Sequence, residues 1–103
     1  MAKENSEKIF RLEIILSQSI EEDFVNAFLS KETGNMFTKL DNVMGRGFSV
    51  PKMGDAIWPQ LNCMYIVYCT EPEIKVIKDI ISALREEYPD EGIACFKSEA
   101  ETL

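Results

Sequence analysis

Three glycines and two cations fall within ten residues of one another in Gly45-Arg46-Gly47 and Lys52-Met53-Gly54. Glycine accepts positive φ, so a Gly-x-Gly turn can converge backbone N–H donors into an anion nest, and Arg46 and Lys52 would add charged donors. The chemistry this spacing offers is the binding of a small anion. Gly-x-Gly triplets also occur in ordinary turns, so the competing reading is a structural hairpin. The same stretch carries Met44, Phe48, Met53, Ile57 and Trp58, and large apolar groups on a loop need cover. Met44, Phe48 and Trp58 are therefore the expected interface residues, with Trp58-Pro59 setting the approach to the next element.

Little else in the chain suggests chemistry. There is no His, which removes the usual general base and the commonest metal ligand. Cys63 and Cys69 lie six apart in a strand-like run, roughly 20 Å along it, too far for a disulfide or a shared metal. With Cys95 they make an odd number and read as small apolar fillers in a reducing compartment. Asp41, Asp55, Asp90 and Glu91 could supply oxygen ligands, but no short Cys/His motif accompanies them.

The elements that position the loop follow from periodicity. Residues 8–17 (KIFRLEIILS) alternate, with Phe10, Leu12, Ile14 and Leu16 on one side and Ile9, Arg11, Glu13 and Ile15 on the other, which predicts a strand. Ser19 and Glu22 have the spacing of a capping box, opening a helix whose stripe is Ile20, Phe24, Ala27 and Phe28 and which Gly34 stops. Residues 36–43 form a less regular edge strand, and 61–70 (LNCMYIVYCT) form the strongest strand of all. Thr70 and Glu73 repeat the capping-box spacing ahead of a helix carrying Ile74, Ile77, Ile80, Ile81, Leu84 and Tyr88, ended by Pro89. Residues 92–98 (GIACFKS) make the last strand.

The order β-α-β-β-α-β predicts a ferredoxin-like α+β sandwich. Both helices cover one face of a four-stranded antiparallel sheet whose first and third strands are central. Residues 1–7 read as a frayed N-terminus, 8–98 as the domain and 99–103 as an acidic tail. The 41–60 segment, twenty residues without periodicity, is too long for a simple connection and reads as a functional loop.

One face of such a sheet is left uncovered and should be polar. The third strand disobeys, since Leu61, Cys63, Tyr65, Val67 and Cys69 line one side while Met64, Ile66 and Tyr68 line the other. Ile9 and Ile15 add to the second side from the first strand. Self-association through the open face is expected, and Tyr65 is counted among the interface residues.

The element order, the open face and the long loop together resemble the nitrogen regulatory protein P-II superfamily. Within it, VMGRG, PKMGD and WPQLN, at 43–47, 51–55 and 58–62, are similar to a bacterial P-II-like group. The resemblance implies a homotrimer with sheets facing inward. It also implies a ligand cleft between subunits, formed by the loop base and the connection before the last strand. Gly45, Arg46 and Gly47 correspond to the glycine-rich start of that loop; Lys52 and Gly92 complete the ligand set. An adenine nucleotide is the candidate cofactor, and a transporter or enzyme docking on the loop is the candidate partner. The chain departs from the family where a basic, glycine-rich connection is replaced by Tyr88-Pro89-Asp90-Glu91-Gly92 and where the basic C-terminus is absent.

The same order leaves a CutA-like metal-binding trimer and an ACT-like small-molecule module as alternatives. An acylphosphatase-type enzyme would need an arginine-bearing loop after the first strand, where Ser17-Gln18-Ser19-Ile20 stands, so no catalytic residue is assigned. The chain has 18 acidic and 11 basic residues, a net charge of −7, which argues against a nucleic-acid reader. No secretory segment is evident at 1–7, and no apolar run approaches the ~20 residues of a membrane span. A cytoplasmic location is expected.

Overall fold

The computed structural model describes residues 8–31, 36–47 and 51–103. Four strands and two helices follow in the order β1 (Ile9–Ser17), α1 (Glu21–Ser30), β2 (Met36–Val43), β3 (Asn62–Cys69), α2 (Glu71–Glu87) and β4 (Ile93–Ala100). The sheet is antiparallel with strand order β2-β3-β1-β4, so β1 and β3 are central as periodicity requires. Among the described residues, no helix is long and apolar enough to cross a membrane.

The alternation along β1 becomes burial. Phe10, Leu12, Ile14 and Leu16 are buried under the helices, and Ile14 stands beside Tyr65 of β3 and Cys95 of β4. Phe24 and Phe28 of α1 stack at 5.3 Å between centroids, and Phe24 lies 5.1 Å from the Tyr65 ring. From α2, Ile77, Ile80, Ile81 and Leu84 close the core. Each such side chain contributes about 1.5–3 kcal/mol by leaving water.

The two helix starts differ. Thr70 caps α2 as expected, its N–H donating to the Glu73 carboxylate at 2.8 Å, with Pro72 in the first turn. The box expected at Ser19 does not form. Ser17 instead caps a short 3-10 turn, Gln18–Ile20, accepting from the Ser19 N–H, and α1 begins only at Glu21. The Ser19 hydroxyl lies instead 2.9 Å from Ser17 Oγ, inside that turn rather than at a helix N-cap. The stop expected at Gly34 and the N-terminal segment 1–7 lie outside the described residues.

Two further expectations change. Tyr65 is not an interface residue: it is 2 % exposed, beneath α1, because its position in the alternation belongs to the helix side. The last strand does not stop at 98 but pairs with β1 as far as Ala100, opposite Ile9, so part of the acidic tail is sheet. The three cysteines are free, Cys63 and Cys69 buried and Cys95 half-buried.

No described residue outside the sheet is seen to cover the face away from the helices. Across it run Leu40, Met64, Ile15 and Ala94 in one row and Thr38, Ile66, Glu13 and Phe96 in the next. Leu40 is 45 % and Phe96 62 % exposed. Arg11 at one end of this face binds Glu13 at 2.9 Å and donates to the Tyr68 hydroxyl at 3.3 Å.

Candidate functional site

Where β2 leaves the sheet its ladder shifts register between Leu40 and Val43, and Asn42 takes a left-handed φ of 57°. Asn and Asp tolerate that conformation better than other side-chain-bearing residues. The Asn42 amide oxygen accepts from Gln18 Nε2 at 2.9 Å, which holds the bulge against the turn after β1. The bulge redirects the chain, and Gly45 and Lys52 then form an isolated antiparallel bridge with N···O distances of 2.8 and 2.7 Å. The long loop therefore has a built base.

Behind the bridge, the Asp55 carboxylate accepts from the N–H groups of Ile57 and Trp58 at 3.0 and 2.7 Å. Gly54 has φ +69°, a conformation that favours glycine, and a Cβ there would lie 2.9 Å from Leu61 Cδ2, so the Leu61 side chain would have to shift to admit one. Trp58 is 38 % exposed and Met44 62 %. Phe48, the third interface residue expected of this loop, lies outside the described residues.

The connection from α2 to β4 approaches the same place. Tyr88 ends the helix with its N–H on the Leu84 carbonyl, and the Glu91 N–H turns back to the Tyr88 carbonyl at 3.1 Å. Arg85 ties down the start of β4 by donating to the Ile93 carbonyl at 2.9 Å. The Tyr88 hydroxyl donates to Asp23 of α1, and that bond pushes its pKa up to about 12.

Between loop base and connection lies a cleft of about 890 Å³. Gly45, Arg46, Gly47 and Lys52 line one side and Pro89, Asp90, Glu91 and Gly92 the other, so all five expected ligand residues meet there. Sequence reasoning had not placed Ile15, Asn62, Ala94 and Phe96 in this cleft; they form its floor, where it runs out onto the open sheet face. Their period of two was visible, but which row adjoins the loop depends on register.

The anion nest is not formed. Among the described glycines only Gly54 has positive φ, and the Gly45 N–H is committed to the Lys52 carbonyl. Among the described residues an added Cβ at Gly47 would meet nothing within 4 Å, and its φ is not positive, so neither strain nor crowding from them selects glycine there. What the bridge provides instead is placement: Lys52 is only 5 % exposed, and Arg46 remains exposed at the rim. Two cations face Asp90 and Glu91 across the cleft, and Glu91 Oε1 is a buried oxygen without a hydrogen-bond partner among the described residues. Among those same residues, no three His, Cys, Asp or Glu side chains are grouped to hold a metal ion.

Comparison with solved structures places the architecture. CPII from Thiomonas intermedia K12, bound to ADP and bicarbonate, superposes with a TM-score of 0.67 at 17 % identity, over 91 % of this chain and 89 % of that one. This is the P-II-like fold. A candidate PII-like signalling protein from Thermus thermophilus matches with a TM-score of 0.57 at 17 % identity, covering 89 % of this chain and 86 % of its own. The apo form of CPII matches with 0.52 at 13 % identity, over 89 % and 90 % of the two chains. No family model matches the sequence, and no curated protein matches it. The P-II-like fold is thus recognised through the course of the backbone.

Proposed function

We propose that this chain is a P-II-like trimeric signalling protein. It binds a small anionic ligand in the cleft between the 41–60 loop and the 89–92 connection, and it docks a regulated protein, a transporter or enzyme, through the loop. The observation that carries this reading is the convergence of Arg46, Lys52 and Gly92 on one cleft from segments far apart in the chain. CPII, of the same fold, binds ADP and bicarbonate, so an adenine nucleotide is the first ligand to try.

The uncovered sheet face supports assembly. Leaving several large apolar side chains wet forfeits about 1.5–3 kcal/mol for each one a neighbour could bury. Because Ile15, Ala94 and Phe96 belong both to that face and to the cleft floor, a second copy on the face would also wall the cleft.

Calorimetric titration of ADP into the protein and into Arg46→Ala tests the reading, with sedimentation run on both. The protein should saturate, and the variant should bind roughly tenfold or more weakly at unchanged assembly. No heat and no competition from ADP would overturn the nucleotide assignment. Dissociation of Arg46→Ala into single chains would make Arg46 an interface residue instead.

A further inference from the structure

The helix layer carries a groove of its own, apart from the loop cleft. It runs between α1 and α2, with a volume of about 780 Å³. The two helices are antiparallel, so the start of α1 lies beside the end of α2, where the Tyr88 hydroxyl donates to Asp23. Ala27 of α1 and Val76 and Ala83 of α2 line the groove, above the buried Ile80 and Leu84. Alanines on both helices leave room for larger side chains from outside. Recognition of a helix in a groove fills such a seam with apolar residues at i, i+3 and i+4. From Val76 to Glu87 the groove follows α2 for about 16 Å.

The charge around this groove is one-sided. Among the described residues that line it, Asp23, Asp79 and Glu87 stand against one cation, Lys31. Among those residues, too, no ion pair engages Asp79 or Glu87, and the partner of Asp23 is a neutral phenol. Negative charge gathers at the Tyr88 end. The Tyr88 phenol is pushed up to about 12, first by its bond to Asp23, then by desolvation and by the charges of Asp23 and Glu87. A carboxylate keeps acceptor capacity after one such bond. A second copy of a chain with a net charge of −7 is a poor match for this rim. A segment with Lys or Arg flanking its apolar stripe is a good one.

We propose that this groove docks a basic amphipathic helix of a partner protein, about three turns long. Its apolar stripe lies against Ala27, Val76 and Ala83, and its basic side chains face Asp79 and Glu87. The site does not depend on the loop cleft. It lies on the layer opposite the open sheet face, so an assembly formed through that face would leave it accessible.

Fluorescence anisotropy of a labelled model helix tests this on the full chain. The probe is a leucine–lysine–alanine peptide of about 18 residues with its leucines on one face. One control has the same composition with the leucines dispersed, and a second has Glu in place of Lys. The probe should bind at least about tenfold more tightly than either control. Ala83→Trp should fill the groove and weaken the probe about tenfold, and Asp79→Lys and Glu87→Lys should each weaken it several-fold. Glu101→Lys, the same charge change outside the groove, should alter it little. No binding, or equal binding of the dispersed control, would overturn the proposal. Unchanged binding by Ala83→Trp would do the same, since attraction to the acidic chain as a whole would then suffice. Sedimentation of Ala83→Trp as a smaller species than the unmodified protein would make the groove a contact between copies instead. Should Ala83→Trp misfold by circular dichroism, Asp79→Lys against Glu101→Lys still decides, because equal losses there contradict a local site.

Discussion

Glu21 joins three elements through one carboxylate. At the first position of α1 it accepts from the Tyr65 hydroxyl of β3 at 2.7 Å and pairs with Lys39 of β2 at 2.6 Å. Burial alone would raise its pKa, but the bonds from Lys39 and Tyr65 outweigh it and hold Glu21 below the ordinary 4.5. With the folded value lowered, the unfolded chain takes up this proton first as pH falls. The stabilisation is therefore complete above the ordinary value and is lost as pH drops through the folded one. Glu21→Gln should cost about 1 kcal/mol near neutrality, allowing for solvent screening. The melting gap from the unmodified protein should close in acid; a gap constant with pH would refute the linkage. The thiols follow the same logic of environment. Burial pushes Cys63 up to about 12 and Cys69 up to about 11, so neither should be alkylated at about pH 8 until the protein unfolds. Alkylation of either in the native state would show that the sheet opens there.

The two helices give a controlled comparison at the next scale. Both sequences carry a Ser/Thr-x-x-Glu signal, yet only Thr70 realises it. Thr70→Ala should lower stability by about 1 kcal/mol, while Ser19→Ala should stay within about 0.5 kcal/mol, measured by chemical denaturation. The signal is local, and a neighbouring hydroxyl can pre-empt it. Ser17, buried at the end of β1, claims the turn first. In the loop, Gly54→Ala should destabilise by about 1 kcal/mol, because φ is positive and the Leu61 side chain would have to move aside. Gly47→Ala should be nearly silent in stability, since among the described residues nothing lies within 4 Å of a Cβ there. Equal effects at the two glycines would mean that the loop base is not built as described.

For the whole molecule the decisive feature is the sheet face that the helices leave open. Ile66 lies at its centre, between Glu13 and Thr38, and outside the core of the chain. Ile66→Asp should leave the fold intact by circular dichroism and shift sedimentation from an assembly to single chains. An unmodified protein that sediments as one chain at micromolar concentration would remove the basis for a cleft shared between subunits. In the proposed assembly, ligand and neighbouring copy would be coupled by geometry, because Ile15, Ala94 and Phe96 belong both to the open face and to the cleft. A ligand that fills the cleft should therefore also slow dissociation of the assembly.

The amino-acid sequence by itself determined the elements and their faces. Periods of two in β1 and β3 and the helical stripe of α2 reflect steric and hydrophobic rules that act over neighbouring residues, and the expected sheet order followed from right-handed crossovers. It also singled out Arg46 and Lys52, because two cations beside glycines stand out against an acidic chain, while Gly92 was added by the resemblance to the P-II superfamily. Only the tertiary structure decided that Gly45 bridges Lys52, that Lys52 is nearly buried, and that Tyr65 turns inward under α1. Those outcomes depend on which backbone groups pair across long stretches of chain and on where a bulge at Asn42 redirects the loop. Residue types carry no record of that pairing, and so the chemistry was legible before the cleft was.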